Sequence, residues 1–356
     1  MRSALSLAAR GLGLVAPNPA VGCIIVDAAG HVAGRGITGQ GGRPHAETVA
    51  ITRAGKSCQG GTAYVSLEPC DHHGQTPPCS QALIDAGIGR VVIACTDPDL
   101  RVSGQGIQRL RDAGVDVTTG VCEQEAGDLN AGFFLKVSEG RPLFTLKAAT
   151  TLDGRIATAT GASQWITGTG ARAMGHMLRG QHDAILVGIN TALADDPGLD
   201  CRLPGMAENS PVPVLADSTL RISTTARLVD RQPIILTLAG SDPDKRQALQ
   251  DKGATVIDIK ADPRGRPDAL AMAKALGEAG LTRVLIEGGG VLAASFMAAG
   301  LIDRLEWFSG AKIVGGDGLP AIAGFGVEAL EDAPAYSLAA AREIDGDMYQ
   351  SYRRDL

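Results

Sequence analysis

His45, Glu47, Cys70 and Cys79 are the residues whose types and spacing could do chemistry together. They stand in His45-Ala46-Glu47 and in Pro69-Cys70, with Cys79 following after eight intervening residues. One imidazole and two thiolates fill three of the four tetrahedral positions of Zn2+, and an open fourth position would hold a water, as in a catalytic rather than a structural site. Glu47, two residues from a ligand, is placed to take a proton from that water and pass it to a ring nitrogen or a leaving amine. That is hydrolytic deamination. Two plainer readings stand beside it: a pair of buried thiols, and a structural zinc completed by His72 or His73.

The elements that must position these residues belong to a chain of 356 residues, 44% hydrophobic and 20% charged, long enough for two globular domains. Aromatics are only 3% against 47 glycines, so the cores are expected to be built from Ala, Val, Leu and Ile around many tight turns. A net charge of -6 argues against a broad nucleic-acid-binding face. Seven scattered cysteines, two of them claimed by the zinc pattern, point to a reducing cytoplasm, with Cys23, Cys58, Cys95, Cys122 and Cys201 as free thiols. The first residues read as a short amphipathic helix, not a signal peptide. No run approaches the roughly 18 apolar residues of a membrane span.

Along the first half, a strand at 21–26 and a second at 31–36 flank the turn Asp27-Ala28-Ala29-Gly30, and a helix over 46–54 puts His45 and Glu47 at its start. A strand at 62–67 delivers Pro69-Cys70, and a helix begins near Cys79, so both halves of the pattern fall at helix N-termini, which favour thiolate over thiol. Strands at 90–95 and 115–119 and helices at 106–113 and 124–137 continue the alternation into an αβα sandwich.

Ala16-Pro17-Asn18-Pro19-Ala20-Val21-Gly22, His45-Ala46-Glu47 and the run from Glu68 through Thr76-Pro77-Pro78-Cys79 resemble the deaminase domain of the bifunctional riboflavin-biosynthesis deaminase/reductases. Zinc nucleobase deaminases in general show H-x-E followed by P-C-x-x-C; the eight-residue gap and the T-P-P-C ending set this chain apart from them. The resemblance implies His45, Cys70 and Cys79 as zinc ligands, Glu47 as proton shuttle, and a diaminopyrimidinone carrying a ribosylamino 5′-phosphate as substrate. Two positions depart from the family: Thr38 stands where it has His, and Gln75 where it has a basic residue. Arg43 is the candidate to supply the missing charge.

Glu139-Gly140-Arg141-Pro142 reads as a junction, giving domains 1–141 and 142–356. In the second, strands at 143–149, 184–189, 212–216, 234–238, 255–259 and 283–286 alternate with helices at 171–179, 244–251 and 267–279, and a turn and return strand follow the first of them. The fold class is thus α/β twice over, here with a mainly parallel sheet. The last of these strands runs into Glu287-Gly288-Gly289-Gly290 and a further helix. Bare backbone N–H groups there can approach a phosphate, although G-G-G after a strand can also be only a turn.

Leu146-Lys147-Ala148-Ala149-Thr150-Thr151-Leu152-Asp153-Gly154-Arg155, Ser163-Gln164-Trp165-Ile166-Thr167, Ala194-Asp195-Asp196-Pro197 and Ile286-Glu287-Gly288-Gly289-Gly290 resemble the same family's reductase domain. This implies a dihydrofolate-reductase-like fold after the cytidine-deaminase-like one, with NADPH held by Ala149, Trp165, Thr191, Asp195, Gly289, Gly290 and Ser295. The ribosyl phosphate substrate would meet Ser163, Arg179, Leu199, Arg202 and Glu287. Guanidiniums suit phosphate, and a carboxylate at a strand's carboxyl end suits sugar hydroxyls. Lys147 and Asp195 are candidate proton donors.

The expectation is a cytoplasmic bifunctional enzyme using Zn2+ and NADPH on small-molecule phosphoribosylaminopyrimidines, a homo-oligomer without nucleic-acid or membrane partners. The alternatives are a chain with one of the two activities, and a zinc-stabilised binding module, such as one for RNA, attached to a reductase.

Overall fold

Asp27 closes the first hairpin by accepting the backbone N–H groups of Ala29 and His31 on Oδ1, each at 2.9 Å, so that Gly22–Val26 (β1) turns back into Val32–Ile37 (β2). The computed structural model describes residues 1–72, 77–99 and 103–354 and divides into two compact units, Met1–Gly140 and Arg141–Leu356. His73 and Gln75 lie outside the described residues.

In the first unit β1 and β2 join Thr62–Val65 (β3), Arg90–Ile93 (β4) and Asp116–Thr118 (β5) in the order β2-β1-β3-β4-β5, antiparallel at the hairpin end and parallel from β3 onward. Helices Arg2–Ala9 (α1), Ala46–Ala54 (α2), Cys79–Asp85 (α3), Gln105–Asp112 (α4) and Glu123–Glu139 (α5) accompany it. Gly22 faces α1, while Gly36, on the opposite face of the sheet, faces α2. The layers are αβα. A Cβ on Gly36 would lie 1.9 Å from the Ala46 carbonyl oxygen, so the missing side chain is what lets α2, and with it His45 and Glu47, sit hard against the sheet. Ile25, Val65, Leu83, Ile93 and Leu110 fill the core between them.

The second unit is a nine-stranded sheet. Leu143–Thr151 (β6), Ala184–Gly188 (β8), Val212–Ala216 (β9), Ile234–Leu238 (β10), Thr255–Ile259 (β11), Arg283–Glu287 (β12) and Arg304–Gly310 (β13) run parallel, and Ser337–Ile344 (β15) and Asp347–Arg353 (β16) add an antiparallel hairpin. The order is β11-β10-β9-β8-β12-β6-β13-β16-β15. Central strands are apolar on both faces: Val284 and Ile286 enter one core, Leu285 the other. Thr169–Gly180 (α6), Ile189–Asp195 (α7), Pro243–Asp251 (α8), Ala269–Glu278 (α9) and Gly290–Ala298 (α10) complete it. Arg141 opens the unit with a buried two-pronged ion pair to Asp303, at 2.8 and 3.0 Å.

The return strand expected after β6 forms as Arg155–Ala157 (β7), but it pairs with Leu319–Pro320 (β14) instead of β6. β13, β14, the β15–β16 hairpin and α7 have no counterpart in the sequence reading. β15 is rich in alanine and exposed along nearly its whole length, so it carries no apolar alternation to betray a strand.

Candidate active sites

His45 is the N-cap of α2 and Cys79 the first residue of α3, while Cys70 lies in the loop leaving β3. Their ligand atoms all lie within 4.8 Å of one another, the one such His/Cys/carboxylate group among the described residues. His45 Nδ1 is 3.2 Å from Cys79 Sγ and 3.5 Å from Cys70 Sγ, and the Cys79 N–H donates to Cys70 Sγ at 3.4 Å. Tetrahedral Zn2+ bonds of about 2.0–2.3 Å place ligand atoms about 3.3–3.8 Å apart, so the donor set fits that ion. The Cys70 thiol is held down at about 4 by hydrogen bonds with Cys79 and His45, against the penalty of burial; the same pairing and burial push the Cys79 thiol up.

Glu47 is 4% exposed. Burial, then the neighbouring Cys70 charge, raises its carboxyl to about 7, so near neutrality it can both accept and return a proton. Around this centre the loops are tied to backbone. Glu68 is buried and accepts from the N–H groups of Gly104 (3.0 Å), Ile107 (3.2 Å) and Asp97 (3.3 Å). Thr38 is 5% exposed, accepts from Val21 N–H at 2.9 Å and donates to the Pro19 carbonyl at 3.2 Å, so its hydroxyl serves the Pro17-Asn18-Pro19 loop. Arg43 is half-buried, and its charge acts on His45.

In the second unit a cavity of about 390 Å3 opens at the carboxyl end of β12 beside the middle of β6, lined among others by Lys147, Trp165, Arg172, Arg179, Arg202 and Glu287. Lys147 and Glu287 are register partners on adjacent parallel strands. Arg179, from α6, turns its fork onto Glu287, with Nε–Oε1 and Nη2–Oε2 both 2.8 Å, and gives Nη1 to the Asp200 carbonyl at 3.0 Å. Burial opposes the Glu287 charge, but Arg179 outweighs it and holds the carboxyl at about 2. The two residues expected to meet phosphate and sugar separately are therefore joined to each other. Trp165 is 59% exposed, with the Arg172 guanidinium 4.6 Å from its ring centroid, so it is not a core residue.

Thr191, on α7, closes on the glycine turn: a Cβ on Gly288 would lie 3.0 Å from Thr191 Cγ2, and one on Gly290 would lie 2.6 Å from the Pro320 carbonyl oxygen. This close-walled backbone at the N-terminus of α10 fits a dinucleotide phosphate. Gly289 and Gly290 stand in it, and Ser295 is one turn on, its hydroxyl donating to the Val291 carbonyl at 3.1 Å. Leu199 is buried with a φ of 54°, so it could offer only backbone to a ligand. Ala149 is on β6, Ser163 is exposed, and Asp195 is exposed at the end of α7; none of the three lines the cavity. Sequence reasoning missed Arg172 and His176, which face the cavity from α6 at helical spacing with Arg179, a signal that was available. It also gave no role to Glu68, whose carboxylate accepts backbone N–H groups 29 to 39 residues further along the chain, a pairing that spacing alone does not reveal.

Residues 142–349 match the family model described as the RibD C-terminal domain, and residues 1–95 match the cytidine and deoxycytidylate deaminase zinc-binding region. The chain is 38% identical over 355 residues to the riboflavin biosynthesis protein RibD of Aquifex aeolicus, covering 99% of this chain and 97% of that one. The solved structure of Acinetobacter baumannii RibD, form 1, superposes with a TM-score of 0.88 at 35% identity, covering 100% of this chain and 98% of that one. A diaminohydroxyphosphoribosylaminopyrimidine deaminase/5-amino-6-(5-phosphoribosylamino)uracil reductase from Thermotoga maritima gives 0.87 at 33% identity, covering 100% and 97%.

Proposed function

The chain belongs to the RibD family of bifunctional riboflavin-biosynthesis deaminase/reductases, and from that premise we propose the substrate, cofactor and residue roles of each half. Residues 1–141 hydrolyse the amine of a diaminohydroxy-phosphoribosylaminopyrimidine, and residues 142–356 reduce the ribosyl group of the product to ribityl with NADPH. The observation that carries the reading is the convergence of His45, Cys70 and Cys79 beside a buried Glu47.

His45, Cys70 and Cys79 hold Zn2+, which when bound supplies a water activated at neutral pH. Glu47 carries two protons in turn, the first from the water to the ring nitrogen and the second from the hydroxyl so formed on the ring carbon to the departing amine, so that ammonia leaves and a carbonyl remains. Arg43 takes the substrate phosphate, since Thr38 is spent on the loop. In Arg43→Ala the KM for phosphorylated substrate is expected to rise about tenfold, the scale of one charge-assisted hydrogen bond, with the phosphate-free compound unaffected; equal KM values would refute this role.

In the reductase half Arg179 orients Glu287 toward the sugar hydroxyls, and the phosphate falls to Arg202 with Arg172 beside it. Ser163 and the Leu199 backbone complete the substrate contacts. Thr191, Gly289, Gly290 and Ser295 cradle the dinucleotide, with Ala149, Trp165 and Asp195 along its length. NADPH supplies the hydride; the protein's part is orientation and exclusion of water. The partners are small molecules only, the compartment is cytoplasmic, in keeping with seven unpaired cysteines, and a homo-oligomer is expected, which sedimentation velocity reads.

A coupled assay tests both halves: one sample releases ammonia from the diaminopyrimidine and oxidises NADPH with the product. Glu47→Ala is expected to lose ammonia release by about 10²–10⁴-fold while keeping NADPH oxidation of supplied intermediate. Retained ammonia release in that variant would overturn the mechanism.

A further inference from the structure

Both thiolate ligands are followed by residues that reach for each other. Ser80, directly after Cys79 and fully buried, donates its hydroxyl to Asp71 Oδ1 at 2.5 Å, and Asp71 directly follows Cys70. The same carboxylate oxygen is 2.5 Å from Arg109 Nε on α4, and Arg109 Nη1 donates to Gln81 Oε1, one residue past Ser80, at 3.0 Å. The Ser80 N–H also donates to the Cys70 carbonyl at 3.2 Å. On the other side of Cys70, the Glu68 carboxylate takes two N–H groups from the start of α4. A Cβ on Gly106 would lie 2.0 Å from the Pro69 carbonyl oxygen, so α4 presses directly on the turn that carries the ligand.

We propose that Asp71 is a positioning residue of the metal centre: its carboxylate joins the residues after Cys70 and Cys79 and locks both to Arg109, holding the two sulfurs at the separation a tetrahedral ion requires. The proposal rests on the reading that His45, Cys70 and Cys79 hold zinc. A charge-assisted hydrogen bond from a buried hydroxyl is short and directional, and its loss leaves the Ser80 hydroxyl and the Arg109 guanidinium without this acceptor. Groups in this outer layer typically change metal affinity by about 10–100-fold. An ordinary surface ion pair between Asp71 and Arg109 would change it little.

The test uses the full chain loaded with Co2+, whose d–d and thiolate-to-cobalt bands report ligand geometry, together with Zn2+ affinity from chelator competition. Wild type is expected to take up one equivalent with thiolate bands, and Cys70→Ala to lose them. Asp71→Ala is expected to weaken Zn2+ binding by about 10–100-fold and to shift the d–d envelope, and Asp71→Asn, which keeps an oxygen for Ser80, to recover most of the affinity. Ser80→Ala, which removes a single atom, is expected to weaken binding about tenfold and keeps the test decisive should Asp71→Ala not fold. Wild-type affinity and spectrum in folded Asp71→Ala, or in Ser80→Ala, would overturn the proposal. A wild type that gives no thiolate bands would instead overturn the zinc reading on which it stands.

Discussion

Lys147 and Asp195 have equal claims as proton donors in the sequence, and geometry separates them. Lys147 lines the cavity beside Glu287, with its Nζ 5.8 Å from the Phe308 ring centroid, whereas Asp195 lies on the exposed end of α7 away from the cavity wall. The expected outcome is a fall of about 10²–10⁴-fold in single-turnover hydride transfer for Lys147→Ala, with Asp195→Asn affecting only the KM for NADPH. Normal transfer in Lys147→Ala would dismiss it. Arg179 and Glu287 show the same lesson: each residue type was legible as a ligand-binding group, but that they bind one another was not, because 108 residues separate them.

Elements are joined by buried polar links that set their pH response. His182, 2% exposed at the end of α6, is 2.6 Å from the Leu178 carbonyl through Nδ1 and 2.9 Å from the Thr145 hydroxyl of β6 through Nε2. The carbonyl requires Nδ1 to donate, and in the neutral ring Nε2 then accepts from the Thr145 hydroxyl, so both ring nitrogens are satisfied without a charge. Burial first, then Arg283, lowers its pKa from 6.5 to about 3. Below 6.5 the unfolded chain binds a proton that the folded one refuses. The contribution to stability is therefore fully present above pH 6.5 and falls as pH drops toward 3, at up to about 1.4 kcal/mol per pH unit. Both tryptophans, Trp165 and Trp307, lie in this unit, so their emission follows its unfolding alone. Urea unfolding at pH 7 and pH 5 is expected to show a smaller loss in His182→Gln than in wild type; identical losses would count against the assignment.

At the scale of the whole molecule, each compact unit carries its own core and its own site, the His45, Cys70 and Cys79 cluster in one and the cavity at β6 and β12 in the other. Chelation of the metal is accordingly expected to abolish ammonia release and to leave NADPH oxidation of supplied intermediate within about twofold, since no residue of the second site is drawn from the zinc pattern. Loss of both activities in parallel would show that the second site depends on the first.

Local signals determined a great deal by themselves. Apolar runs with β-branched residues marked the central strands, several to the residue, as at Val212–Ala216 and Ile234–Leu238, and the H-x-E and P-C motifs marked the metal cluster because ligand chemistry demands those residue types. What only the tertiary structure decided are contacts between residues distant in the chain. These are the capture of Arg179 by Glu287, the turning of Thr38 onto the Pro17-Asn18-Pro19 loop, the pairing of β7 with β14, and the Asp71–Ser80–Arg109 tie. Periodicity reports which face of an element is buried, and a motif reports which chemistry is possible. Neither carries the distance between two side chains brought together by different elements, and that distance decides whether a charge meets a substrate or another residue.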